Sequence, residues 1–126
     1  MDLQKIDRDE HGRLRIIQET VPGKQITLAH IIASPDPVVY QKLGLDPAVD
    51  YSKSAIGIIT VTPSETAIIA GDIATKASNI ELGFIDRFSG SLIVSGSVSD
   101  VTSAVESVVS YVREKLGFAV CEITRT

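Results

Sequence analysis

The chain has 126 residues, enough for one compact domain and too few for two. Hydrophobic residues make up 44% and aromatics only 5%, so the core must be built from Ile, Val, Leu and Ala. The formal charge is −4 with no basic stripe, which argues against nucleic acid as a partner, and the single cysteine, Cys121, excludes an internal disulfide and the multi-cysteine zinc sites.

Residues 1–13 mix acids and bases with few apolar groups and read as a flexible tail, not as a secretory leader, which needs an apolar run. No later apolar stretch is long enough to span a membrane, so the expected location is the cytoplasm. Residues 14–21 have β composition and end at the turn pair Pro22-Gly23. A lone strand leaves its amides and carbonyls unpaired. Composition favours pairing within the chain over pairing with neighbouring copies, where a ring of such strands would close into a barrel without a free edge. Residues 24–33 read as a second strand. Ser34-Pro35-Asp36-Pro37 breaks it, and a short helix is expected over 38–43, stopped by Gly44. Residues 45–53 read as a loop, in which Asp46, Asp50 and Tyr51 have no partner motif.

From Ser54 the pattern sharpens. Residues 54–61 form a strand. Thr62-Pro63-Ser64-Glu65 looks like a helix start, with Thr62 capping, Pro63 in the first turn and Glu65 completing a capping box. That helix runs to about Ser78 and carries Ala67, Ala70, Gly71, Ala74 and Ala77, small residues suited to close packing on a sheet. Asp72 and Lys76 lie four apart, where they pair weakly as a solvated ion pair or meet a neighbouring subunit. Residues 80–87 and 91–96 form a hairpin whose tip, Asp86-Arg87-Phe88-Ser89-Gly90, carries charge and an aromatic ring at a fixed point. Val98, Val101, Val105, Val108, Val112 and Leu116 recur at helical spacing until Gly117. Burying one such Val is worth roughly 1.5–3 kcal/mol, which outweighs valine's modest helix propensity. Residues 118–124 read as a last strand.

The order strand, helix, strand, strand, helix, strand gives an α+β fold: a ferredoxin-like antiparallel sheet with helices on one face. The strand and helix at 24–43 are extra, and the pattern does not say where they join the sheet. His30, on a strand with Ile26, Leu28 and Ile32 on its face, reads as structural; His11 reads as a solvated tail residue. Cys121, alternating with Ala119 and Ile123, reads as a buried small apolar group. No nucleophile with a base and orienting group, and no ligand cluster, is visible, so neither catalysis, a metal nor a cofactor is expected.

Three segments carry a family resemblance: Pro22-Gly23-Lys24-Gln25-Ile26-Thr27-Leu28-Ala29-His30-Ile31-Ile32-Ala33, Thr60-Val61-Thr62-Pro63-Ser64-Glu65 and Gly83-Phe84-Ile85-Asp86-Arg87-Phe88-Ser89-Gly90. Together with the ending Ile123-Thr124-Arg125-Thr126, the chain from Arg15 onward resembles the circularly permuted shell proteins of bacterial microcompartments, of the propanediol- and ethanolamine-utilisation types. The resemblance implies a non-enzymatic cyclic homohexamer that tiles with other shell proteins around an encapsulated cargo. The domain would span residues 14–126, with the strand and helix of residues 28–43 moved from the end of the ordinary domain to the front. It implies that Asp86, Arg87, Phe88, Ser89 and Gly90 line the central pore. It likewise places Asp72 and Lys76 at contacts between hexamers. Residues 14–23 would be a barrel strand and turn, with Leu14, Arg15, Ile16, Ile17, Gln18, Glu19 and Thr20 forming a six-stranded parallel barrel over the pore. That reverses the composition-based preference for pairing within the chain. One departure is plain: ordinary shell proteins have an arginine between two prolines at the edge, and here the place reads Ala33-Ser34-Pro35.

Six Arg87 side chains in one ring would have to point apart, pair with Asp86 or bind an anion. The rival class is a ferredoxin-like oligomeric metabolite-sensing module, which trimers would favour. A small hydrolase on the same fold would need a phosphate-cradling Arg/Asn loop, and none is evident.

Overall fold

The structure, a computed structural model, describes residues 23–44 and 54–126, and the backbone strands at 6–8 and 14–16. Ten elements follow in chain order: β1 Ile6–Arg8, β2 Leu14–Ile16, β3 Gln25–Ile32, α1 Pro37–Leu43, β4 Ala55–Thr62, α2 Thr66–Ala77, β5 Glu81–Asp86, β6 Ser91–Gly96, α3 Val98–Glu114 and β7 Thr124–Arg125.

Five strands form one sheet in the order β5-β6-β4-β3-β7. The run from β4 to β7 is the expected βαββαβ unit. The extra strand β3 sits between its first and last strands, antiparallel to β4 and parallel to β7. Sequence patterning could not place it because the pairing is non-local. The last strand is shorter than expected: the chain touches β3 through a bridge at Ala119 and again at Thr124–Arg125.

A register shift between Ile26 and Leu28 corrects the strict alternation expected for β3. It turns Ile26 to join Ala29 and Ile31 in the core, 2% or less exposed, while Leu28 stays 40% exposed. Ile26 therefore does not share the face of His30.

Helices α2 and α3 cover one face of the sheet. Ala29, Ile31, Ala55, Ile59, Val61, Leu92 and Val94 rise from the strands to meet Ala67, Ala70, Ala74, Val101, Val105, Val108 and Val112. Of the six periodic positions, the four at Val101, Val105, Val108 and Val112 are fully buried; Val98 is exposed, and Leu116, just past the end of α3, packs at the margin. Gly57 admits α3 closely, since a Cβ there would lie 2.9 Å from Val105 and from Val94. The short α1 lies on the opposite face. Its Tyr40 packs with Ile56, Ile32, Ile58 and Ile93, and the Tyr40 hydroxyl donates to the Ser54 carbonyl at 3.0 Å.

The caps follow local chemistry. Asp36 accepts from the Val38 amide at 3.1 Å, Pro37 begins α1, and Gly44 closes it in the left-handed region. Ser97 caps α3 by accepting from the Asp100 amide at 3.1 Å and donates to the Asp100 carboxylate at 2.9 Å. The capping box expected at Thr62 and Glu65 does not form. α2 begins at Thr66 with Glu65 at its cap position, so Thr62 stands three residues ahead of the cap, and the intervening residues form tight turns in which the amides of Thr66, Ala67 and Ile68 donate to the carbonyls of Pro63, Ser64 and Glu65 at 3.0–3.1 Å. Glu65 is the cap residue without a side-chain cap bond; its carboxylate accepts from the Ser64 hydroxyl at 3.0 Å instead.

The stretch read as a tail contributes a strand. Ile6–Arg8 pairs antiparallel with Leu14–Ile16, with Ile6 opposite Ile16, Asp7 opposite Arg15 and Arg8 opposite Leu14. Ile17, Gln18, Glu19 and Thr20 lie outside the described residues, as do His11, Asp46, Asp50 and Tyr51.

Candidate assembly surface and hairpin tip

The turn joining β5 to β6 is built by residues at its base. The Asp86 carboxylate accepts from the Phe88 amide at 2.9 Å, and the Asp86 carbonyl accepts from the Gly90 amide at 2.9 Å. The Phe88 amide, then the Ser89 hydroxyl, hold the Asp86 carboxyl below its ordinary value. Gly90 adopts φ +77°, and its carbonyl accepts from the Val61 amide at 2.9 Å. A Cβ at this position would fall 2.2 Å from the Val61 carbonyl oxygen, so only glycine fits.

With its base so fixed, the tip projects two side chains. Phe88 is 80% exposed, and the Arg87 guanidinium lies over its ring, 4.9 Å from the centroid. Of the three ways to accommodate Arg87, pairing with Asp86 is not the one adopted within the chain. The carboxylate serves the turn, and no ion pair to Arg87 occurs among the described residues.

Beside the tip runs an apolar band that sequence patterning missed. Leu82, Phe84 and Ile85 on β5, with Ile68 and Ile69 on α2, are each 40–52% exposed; Leu82 and Ile85, opposite Val94 and Leu92, lie on the α2 face of the sheet, and Phe84, opposite Ile93, on the other. The two elements adjoin, with Gly71 of α2 seated against Ile85 and Leu82. Single exposed apolar residues are ordinary; five around one sheet edge, Phe84 on one face and the other four on the α2 side, mark that edge as an interaction surface. The available signal was that β5 is apolar on both faces, which an edge strand covered on one side alone would not need.

Asp72 and Lys76 form an exposed ion pair at 2.8 Å, their side chains 59% and 76% exposed. The hydrogen bond to Asp72, and then its charge, raise the Lys76 pKa. The pair borders a groove of about 370 Å³ lined by Ile69, Ile73, Ala77 and Tyr111.

His30 is a structural link between strands. Its Nδ1 lies 2.6 Å from the Thr124 hydroxyl and its Nε2 2.9 Å from the Thr126 hydroxyl, tying β3 to the chain end beside it. Cys121 is half-exposed, not buried, with one side packed on the core. Ser34 follows Ala33, whose amide donates to the Thr126 carbonyl at 3.0 Å. Among the described residues, no three His, Cys, Asp or Glu converge as metal ligands, and no helix is long and apolar enough to cross a membrane.

Comparison with known proteins places this geometry in a family. The BMC domain matches residues 55–124. The chain is 49% identical over 119 residues to the bacterial microcompartment shell protein CutR of Streptococcus intermedius, covering 94% of this chain and 98% of that protein. It is 54% identical over 112 residues to the shell protein PduU of Salmonella typhimurium, covering 89% and 93%. Among solved structures, the CutR flat hexamer superposes with a TM-score of 0.77 at 49% identity, over 89% of this chain and 99% of that one. A fused permuted hexameric shell protein shares the fold at 20% identity, with a TM-score of 0.60. The displaced β3–α1 unit, the hairpin tip and these likenesses agree: the chain belongs to the bacterial microcompartment shell proteins, in their circularly permuted form.

Proposed function

We propose that the protein is a structural, non-catalytic subunit of a microcompartment shell, in which six copies close into a ring that tiles edge to edge with other shell proteins. The observation that carries this reading is the apolar sheet edge, with Leu82, Ile85, Ile68 and Ile69 on the α2 side and Phe84 on the other face, left uncovered in the single chain of a protein whose 49%-identical relative is described as a flat hexamer. Burial of such an edge against a neighbouring copy supplies the driving force for association.

In this ring the tips at 86–90 approach the six-fold axis and Arg87 and Phe88 line the pore. Six guanidiniums brought together repel unless they spread apart or share an anion. Asp72 and Lys76 lie at contacts between hexamers, and Leu14–Thr20 contributes one strand to a six-stranded barrel above the pore. Enclosed cargo is a further partner on the inner side.

Native mass spectrometry and light scattering of the purified chain test the reading. A mass of six chains supports it, and a monomer at high concentration or a stable trimer overturns it. Electron microscopy of the particles then locates Arg87, near the axis as expected or far from it.

A further inference from the structure

The short hairpin β1–β2 competes with the barrel. Successive amides of a strand point to alternate edges, so each strand has two edges and no more. In this chain one edge of Leu14–Ile16 is taken by Ile6–Arg8, antiparallel. A closed ring of six parallel β2 strands uses both edges of every strand. The two arrangements therefore exclude each other at the same residues.

We propose that β1 is a removable cover for the barrel strand: it occupies one edge of β2 in the unassembled chain and must leave before the six strands can close over the pore. This rests on the reading that β2 belongs to an intersubunit barrel, and it adds a switch to that reading. The energetics suit the role. β1 and β2 share three residue pairs and form a sheet of two strands, an arrangement that is marginal by itself in water. A barrel without edges outcompetes it once six copies are held together. Before that, the cover protects an edge that would otherwise pair with any passing strand. Only five residues separate the strands, so the hairpin re-forms locally whenever the ring opens. The cover thus makes a capped pore and an uncapped pore two states of one hexamer.

The test locks the cover in place on the full chain. In a Cys121→Ser background, which removes the native thiol, Asp7→Cys with Arg15→Cys places cysteines at opposed positions that an oxidant can join. Asp7→Pro is the counterpart that weakens the three-pair hairpin, proline being disfavoured inside a strand, and frees β2. Native mass spectrometry reads assembly, and residue-resolved hydrogen exchange reads the edges of β2. One paired edge protects alternate amides across residues 14–16; two protect all of them, with exchange slowed about tenfold or more at the added positions. The expected result is hexamers in every form, with successive amides protected in the reduced and Asp7→Pro proteins and alternate amides alone in the oxidised protein. Successive protection in the oxidised hexamer overturns the proposal, as does alternate-only protection in the Asp7→Pro hexamer. Absence of hexamers in all forms removes the shell reading itself, a failure the mass measurement reports separately.

Discussion

Gly57 of β4 faces Val105 of α3 so closely that a methyl group on Gly57 would lie 2.9 Å from Val105 Cγ2. Val101 at 3.0 Å and Val94 at 2.9 Å complete the enclosure, and all three valines are fully buried. None can retreat without disturbing the helix-on-sheet contact. Gly57→Ala is therefore expected to destabilise the fold by about 1–3 kcal/mol through overpacking. Urea unfolding followed by circular dichroism checks this, and an unchanged midpoint would show that α3 rides the sheet more loosely than the distances imply.

The exposed band gives a second prediction. Phe84 is about half-exposed on β5, so replacing it costs the isolated fold little. Phe84→Glu sets a charge on the same edge strand, on the face away from α2, where burial against another copy would leave it unpaired. The expected outcome is a folded chain with native far-ultraviolet dichroism and a sedimentation coefficient well below that of the parent. A parent-like coefficient would move the assembly surface elsewhere.

The turn at the tip predicts a pH dependence. Asp86 has its pKa depressed from 3.8 by the Phe88 amide and the Ser89 hydroxyl. A lowered folded-state pKa means that the unfolded chain binds the proton more readily. The ionised carboxylate thus contributes stability that is complete above about pH 4 and is lost as pH falls through the lower folded value. Asp86→Ala should melt below the parent at neutral pH, and the gap should narrow in acid. A gap that stays constant down to about pH 2 would mean that the carboxylate's charge has no part in holding the turn.

Lys76 tests the edge assignment. Its partner Asp72 and both side chains lie in solvent, so the fold itself owes the pair little. Lys76→Ala is expected to leave the ring mass unchanged while reducing extended sheets on electron-microscope grids. Sheets as abundant as the parent's would detach Lys76 from tiling.

What could be read in the chain followed the range of the forces involved. The α3 valines, the Asp36 and Gly44 boundaries and the break between β5 and β6 are written in local spacing and turn chemistry, and they stand where expected. The insertion of β3 between β4 and β7 depends on pairing across nearly a hundred residues, which no local pattern encodes. The register shift after Ile26 reversed a face because one added residue overrides strict alternation. The cap expected at Thr62 does not form because tight turns fill residues 63–65 and the helix begins only at Thr66, with Glu65 at its cap position. Around the tip, the residue types at 86–90 were legible, but the roles were not. Asp86 looks in sequence like a partner for Arg87, and its short side chain bonds the local backbone instead.

The turn at 86–90 is held through its backbone, by the Asp86 carboxylate on the Phe88 amide, the Asp86 carbonyl on the Gly90 amide, and the Gly90 carbonyl on the amide of Val61. Beyond the Phe88 amide, Arg87 and Phe88 take no part in that scaffolding, and their side chains none at all. Their chemistry can be exchanged without remaking the backbone that presents them, so the outermost charge and bulk are free to diverge while the architecture beneath stays constant.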